Sequence, residues 1–349
     1  MNEPVRRLPA GSGAPAGSAP PALAEARALV EAQGLRFEPE FDDLVTLYER
    51  ERMVACGFRA GYVLKMLAIA PSHQGTDTLG ELVTQLLLSG LRAGHDTVFV
   101  FTSLQHAASF QALNFRLLAA PGQAALLEHG PGLEAYLESH AGVIAPGRNG
   151  AVVINGNPFT LGHLHLVEHA ADQVDRLYLF VVREDRSAFP FDLRLRLARE
   201  ATAHLANVTV LDTSRYAVSA GTFPSYFLKR LDAVAETQMR MDLTLFAQRL
   251  APAFHIVRRF VGREPLCATT AAYNALMAEL LPLQGVQVVE LPRLAQGAGP
   301  ISATRVRAAL AAGEPAGLAA LVPPATLAFL LSPAARPIAE RLQTLKEDA

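Results

Sequence analysis

The stretch Ala151–Val174, AVVINGNPFTLGHLHLVEHAADQV, decides the fold. Its opening run, Ala151 to Ile154, is wholly apolar and closed by turn residues, the pattern of a parallel strand covered on both faces. Asn155-Gly156-Asn157-Pro158 breaks that strand. A helix is expected from about Gly162, because Leu166, Val167, Ala170, Ala171 and Val174 fall at helical spacing. His163 stands at the head of that stripe. A helix start offers unpaired N–H groups and a positive dipole end, so this junction aims an anion site at the carboxyl edge of a sheet.

Outward from this unit the pattern alternates between strand and helix. Strands are expected at Arg176–Val182, Val208–Asp212, Arg259–Val261 and Val286–Leu291. Helices are expected at Phe191–Leu205, from Thr222, at Leu243–Leu250, at Thr270–Leu281 and, as the last one, from Ile301. That order predicts an α/β domain built on a doubly wound parallel sheet, over residues 150–335, with residues 336–349 as a tail.

Upstream, residues 1–22 are rich in Gly, Pro, Ala and Ser and read as a flexible segment. A first α/β domain is expected over residues 23–140. Helices are expected at Leu23–Ala32, Phe41–Arg52, Leu79–Leu91 and Ala107–Leu113. Strands are expected at Met53–Cys56, Tyr62–Ile69 and Thr97–Thr102, the first two joined by a turn at Gly57/Gly61. Residues 141–149 read as a linker. The chain has 349 residues, half of them hydrophobic, which is ample for two cores.

A formal charge of −2 provides no basic field for nucleic acid. Cys56 and Cys267 have no zinc or disulfide spacing, so a reducing, cytoplasmic setting is expected. No apolar run is long enough to span a bilayer. Arg6-Arg7 is followed by no apolar stretch that would make it an export signal.

Two loop-to-helix junctions carry the chemistry, Thr160-Leu161-Gly162-His163 and Ile301-Ser302-Ala303-Thr304-Arg305-Val306-Arg307. In this order they resemble the paired motifs of the HxGH/TxGH nucleotidyltransferase superfamily. That resemblance implies ATP attacked at its α-phosphorus. Thr160 offers a hydroxyl, Gly162 leaves room, and His163 donates to phosphate oxygens. Ser302 and Thr304 present hydroxyls and N–H groups to the β- and γ-phosphates, with Arg305 and Arg307 supplying positive charge. Asn155, Asn157 and Phe159 of the first loop, and Gly262, Arg263 and Glu264 after a later strand, are expected to line the nucleotide. Mg²⁺ is expected to come with the triphosphate, held by phosphates and water, with no protein metal cage.

A zinc pattern overlaps the first junction, since His165-Leu166-Val167-Glu168-His169 reads H-x-x-E-H. His165, Glu168, His169 and Asp172 are expected on the solvated face opposite the apolar stripe instead.

The strand LKMLAIAP, the turn at Gln74-Gly75, the helix after it and Phe110…Phe115 resemble the acetyl-CoA half of a GNAT-type acetyltransferase. Asp77 and Leu79 stand where that family's loop has small residues, and Asn114 where it has glycine. The implied role is a GNAT-like scaffold or docking domain that has lost ordinary CoA binding.

The segments NGNPFTLGHLHLVEHAADQVDRLYLFVVRED, FPSYFLK, FVGREPLCATTAAYN and PISATRVR resemble the [citrate (pro-3S)-lyase] ligase family, as does the order of the two domains. The resemblance implies that acetate and ATP give acetyl-adenylate and pyrophosphate. The acetyl group then passes to the thiol of the phosphoribosyl-dephospho-CoA prosthetic group on the acyl-carrier subunit of citrate lyase. Phe223, Tyr226 and Lys229 are expected to shape the acetate or pantetheine pocket, with Lys229 facing a carboxylate. Glu184 or Asp185, next to Arg183, is a candidate to hold Mg²⁺ through water, or else part of a solvated loop. Cys267 reads as a buried small residue rather than an acyl relay. The alternatives are an adenylyltransferase acting on a phosphate acceptor such as phosphopantetheine, or a non-catalytic nucleotide-binding docking protein.

Overall fold

The computed structural model describes residues 6–9, 21–183, 187–219, 221–223, 232–265, 267–296, 299–314 and 316–347. It divides into two compact units, Met1–Ala135 and Tyr136–Ala349.

The first unit is an α/β fold on a seven-stranded mixed sheet. Its strands are β1 (Arg6–Pro9), β2 (Asp43–Glu49), β3 (Arg52–Ala60), β4 (Val63–Ile69), β5 (Val98–Ser103), β6 (Arg116–Ala119) and β7 (Ala124–His129), in the order β1-β2-β3-β4-β5-β7-β6. β4 and β5 run parallel and pair only at Val63↔Phe99 and Leu64↔Val100. Helix α1 (Pro21–Ala32) buries Ala26 and Val30 against one face. Helices α2 (Thr78–Arg92) and α3 (Ala107–Gln111) bury Leu82, Leu86 and Phe110 against the other. This is an α/β architecture, as expected for the unit.

Three expectations for this unit are corrected. The helix expected at Phe41–Arg52 is strand β2, followed by the start of β3. Leu44 faces one core while Val45 and Leu47 face the other, so a strand covered on both sides shows no polar alternation. Gly57 lies inside β3 rather than in the turn, where a Cβ would stand 2.8 Å from Leu86 Cδ1. Arg6–Pro9, in the segment expected to be flexible, pairs antiparallel with β2. In the CoA-type loop, Gly75 takes φ +77°, and Asp77 lies exposed at the N-cap of α2 without bonding its N–H groups. Asn114 takes φ +65°, a left-handed conformation that asparagine tolerates.

Helix α4 (Gly132–His140) spans the division between the units. The second unit carries a five-stranded, all-parallel sheet in the order β10-β9-β8-β11-β12. These strands are β8 (Asn149–Ile154), β9 (Leu177–Val181), β10 (Val208–Asp212), β11 (Ile256–Gly262) and β12 (Gln287–Leu291). Val152, Ile154, Leu179, Val181 and Phe260 share one face with helices α5 (Leu161–Ala171) and α6 (Phe191–Thr202). Gly150 allows that contact, because a Cβ there would meet Phe260 and Val174 side chains at 2.9 Å. On the far side lie α7 (Ala233–Leu245), which continues through a π-helical turn at Phe246–Leu250, and α8 (Ala268–Leu280).

A short pairing of β13 (Ala295–Gln296) with β14 (Gly299–Pro300) precedes α9 (Ala303–Ala311). That helix is not the last. α10 (Pro324–Leu330) follows it, and the residues expected as a tail form α11 (Arg336–Glu347). Ile338 of α11 packs on the cluster of Phe189, Ile301 and Val306, and Gln343 donates to the Ala311 carbonyl at 3.0 Å. Among the described residues no helix is long and apolar enough to cross a membrane.

Strand order reverses between β8 and β11. In open α/β sheets, ligands bind in the crevice outside the carboxyl ends at such a switch point.

Candidate active site

A cavity of about 820 Å³ opens at that crevice. It is lined from four directions: the loop after β8, the start of α5, the start of α9, and the segment after β11 running into α8. Asn155, Asn157, Thr160, Gly162, His163, Gly262, Glu264, Ser302, Thr304, Arg305 and Arg307 all line it. The two motifs expected to act together therefore meet at one surface.

Thr160 is the N-cap of α5. Its hydroxyl accepts from the His163 N–H, while the Thr160 N–H donates to His163 Nδ1 at 3.0 Å. This is a capping box with histidine in the place usually held by glutamate or glutamine. A ring nitrogen that accepts from a backbone N–H carries no proton, so the neutral imidazole holds its proton on Nε2. Burial, and secondly the Arg293 guanidinium, lower the His163 pKa to about 4. His163 is therefore a neutral donor at pH 7. Gly162 sits at the seam between the motifs, where a Cβ would lie 3.4 Å from the Ile301 carbonyl oxygen.

Ser302 caps α9 by accepting from the Arg305 N–H at 3.3 Å. Arg305 is exposed and donates to the Gly299 and Pro300 carbonyls. Arg307 donates to the Asn157 carbonyl at 2.6 Å and to Thr304 Oγ1 at 3.1 Å. Its pKa is lowered by burial.

The match that decides the family covers residues 149–330, the whole of this sheet and its site, and its description is "Citrate lyase ligase C-terminal domain". The chain belongs to the citrate lyase ligase family. It is 42% identical over 304 residues to the [citrate [pro-3S]-lyase] ligase of Klebsiella pneumoniae, covering 85% of this chain and 89% of that one. The ligase of the same name from Escherichia coli K12 is 37% identical, covering 82% and 84%. That of Haemophilus influenzae is 34% identical, covering 85% and 91%. The protein is accordingly an enzyme of the ligase class.

Several expected site residues of this ligase-family chain stand elsewhere or are already engaged in other contacts. Phe159 is fully buried in the α5/α6 core and does not line the cavity, although its ring lies 5.4 Å from that of His163. Glu264 is taken up by structure: one oxygen accepts from the Cys267 N–H at 3.1 Å and the other pairs with Arg293. Arg263 pairs with Glu290 and does not line the cavity. Arg183 pairs with Asp212, also away from the cavity. Phe223 is buried, its ring 5.4 Å from Tyr273. Glu184, Asp185, Tyr226 and Lys229 lie outside the described residues. His165, expected on the solvated face, lines the cavity one turn into α5, whereas Glu168 bonds His204 and His169 is exposed. Cys267 is half-buried and lines the cavity rather than being buried. Among the described residues, His, Cys, Asp and Glu form no metal-binding group of three.

Two arginines that sequence reasoning passed over shape the site. Arg293 pairs with Glu264 and donates to the Arg263 carbonyl at 2.9 Å, setting a cation beside His163. Arg194 is wholly buried and donates to the carbonyls of Asn155, Val182 and Phe189 at 2.7–2.9 Å, and to Asn155 Oδ1 at 3.0 Å. It ties together the ends of β8 and β9. Its signal in the sequence is its place on the apolar face of α6, in register with Phe191, Leu197, Ala198 and Ala201.

Proposed function

We propose that this enzyme activates acetate with ATP and acetylates the prosthetic-group thiol on the acyl-carrier subunit of citrate lyase. The observation that carries this reading is the meeting of TLGH and ISATRVR at one cavity in a chain of the citrate lyase ligase family. First, a carboxylate oxygen of acetate bonds to the α-phosphorus. The bond from that phosphorus to the oxygen bridging to the β-phosphate breaks, and pyrophosphate leaves. Second, the thiolate sulfur bonds to the acetyl carbon, and AMP departs with the former carboxylate oxygen.

The chain's part is positioning and charge stabilisation. His163 Nε2–H and the first N–H groups of α5 donate to the α-phosphate. The start of α9, with Ser302, Thr304 and Arg305, takes the leaving pyrophosphate. The Thr160 cap fixes the imidazole so that Nε2 carries the proton. Lys229 is proposed to face a carboxylate, as the resemblance implies.

Mg²⁺ is proposed to arrive with the triphosphate. The polar part of the cavity lining is mainly hydroxyls, amides, imidazoles and cations, and its one carboxylate among the described residues, Glu264, is paired with Arg293. That donor set fits a metal held by phosphate oxygens and water.

The deciding experiment supplies ATP, acetate and the deacetylated carrier protein. A mass increase of one acetyl on the carrier, dependent on all three components, is expected. Adenylylation of a phosphate acceptor in the absence of acetate would reject this reading. So would ATP binding without turnover when acetate and carrier are both present.

A further inference from the structure

Below the phosphate-facing rim, the cavity runs along the face of β11 opposite Phe260. Its lining there includes Val153, Val218, Arg259, Val261, Tyr273 and Met277. Arg259 is the exception among largely apolar neighbours. It is only 3% exposed, and its Cζ lies 4.5 Å from the centre of the Phe246 ring. Its Nε is buried without a hydrogen-bond partner. Among the described residues no carboxylate lies within ion-pairing distance of it.

The carboxylate whose charge acts on it, Asp242, is wholly buried and already engaged. It accepts from the Val218 N–H at 2.6 Å and the Tyr273 hydroxyl at 2.5 Å, with Thr222 as a further hydrogen-bond partner. Burial raises the Asp242 pKa and lowers that of Arg259, so each charge is held at a cost that the other does not cancel by contact. A buried donor left unpaired is rare in folded proteins and calls for a partner.

We infer that Arg259 anchors the carboxylate of the acyl substrate, a small aliphatic monocarboxylate whose alkyl end lies among Val218, Val261 and Met277. The inference rests on the adenylate-forming reading above and gives it a substrate subsite. A guanidinium fork matches the two oxygens of a carboxylate. Apolar walls favour a short alkyl group over a second charge. The triphosphate has its own donors at the helix starts, whereas Arg259 lies within β11, before the carboxyl end of the strand at Gly262.

The test uses Arg259→Gln and Arg259→Lys in the full-length enzyme. Acetate KM, read from pyrophosphate release, should rise about 10- to 100-fold, as expected for losing a charge-assisted hydrogen bond. ATP affinity, titrated without acetate, should stay within about twofold of wild type, well inside that change. An unchanged acetate KM overturns the inference. Loss of ATP binding in a folded variant also overturns it, because it places Arg259 under the nucleotide.

A second measurement needs no substitution. In wild-type protein labelled with ¹⁵N-arginine and loaded with a non-hydrolysable ATP analogue, the Arg259 Nε–H resonance should move on adding acetate and stay fixed on adding acetamide. No movement, in an enzyme that turns acetate over, overturns the inference. If wild type releases no acetate-dependent pyrophosphate, the proposed function falls on its own. The anchor then stands if formate, propionate or butyrate moves the resonance, and falls if none does.

Discussion

Nη1 of Arg307 donates to the carbonyl oxygen of Asn157 at 2.6 Å, across 150 residues of sequence. Asn157 also accepts through its side chain from the Phe189 N–H at 3.0 Å. The loop after β8 is thus fastened on both sides, to the second motif and to the segment before α6.

Arg307→Lys keeps the charge but cannot fork between Asn157 and Thr304. A hydrogen bond from a charged donor contributes about 1.5–3 kcal/mol. ATP affinity is therefore expected to fall about 10- to 100-fold. Titration calorimetry against ATP measures the first effect, and scanning calorimetry should show a lower Tm. Unchanged ATP affinity would remove Arg307 from the site.

His163 has two separable duties. His163→Asn can still place an acceptor near the Thr160 N–H but offers no donor at the Nε2 position. Its Tm should stay close to wild type, while kcat for adenylate formation falls about 10²- to 10³-fold, the usual cost of one transition-state donor. His163→Ala should also lose the ring acceptor of the Thr160 N–H, the reciprocal half of the capping box, at about 1 kcal/mol. The pH dependence has a definite sign. The folded pKa, about 4, lies below the ordinary 6.5. As pH falls below 6.5 the unfolded chain takes the proton first, so stability declines down to about pH 4 and then levels for this group. Imidazole ¹⁵N shifts should report Nε2–H at pH 7 and no titration near 6.5. A midpoint near 6.5 would refute the capping geometry.

Arg293→Met removes the cation beside His163 and the partner of Glu264. An imidazolium is then less disfavoured, so the His163 midpoint should move upward from about 4. The same ¹⁵N titration reads it. A midpoint that stays put or drops would show that burial alone sets the value.

Arg194→Met leaves the carbonyls of Asn155, Val182 and Phe189 without their donor. Unsatisfied buried acceptors cost about 1–3 kcal/mol each. A destabilisation of at least about 3 kcal/mol is expected, measured by urea denaturation. Arg194→Lys should not rescue it, because one ammonium cannot span the three carbonyls. A loss below about 1 kcal/mol would mean that the ends of β8 and β9 hold without it.

The doubly wound unit was legible because its sequence alternates: short apolar runs for two-sided strands, then helical stripes. The paired motifs were legible because each is contiguous. What stayed hidden came from side chains whose meaning depends on distant partners. Arg293 stands alone in its segment and Arg259 is the second of an Arg-Arg pair in a short strand, and only folding brings them to the cavity. In the first unit, β2 lacked alternation because both its faces are covered, and a helix was the wrong reading. AALLEH, in Ala124–His129, has a helical composition, yet it lies between β5 and β6 as β7. Pairing on both edges overrides weak local preference there. His165 was misplaced for a geometric reason: one turn into α5, the cavity wall still wraps around the polar side of the helix.

The Arg307–Asn157 bond also sets when the pocket can close during synthesis. At about 5–20 residues per second, a ribosome needs roughly 8–30 seconds to travel from the first partner to the second. Through that interval the nascent β8 loop has no second wall, and its helix start faces water. A chain released between Leu291 and Ile301 would carry the first motif and all five strands of the sheet but no closed cavity. Stalled or truncated products should therefore be unable to trap ATP, and binding competence would report that translation has passed residue 307.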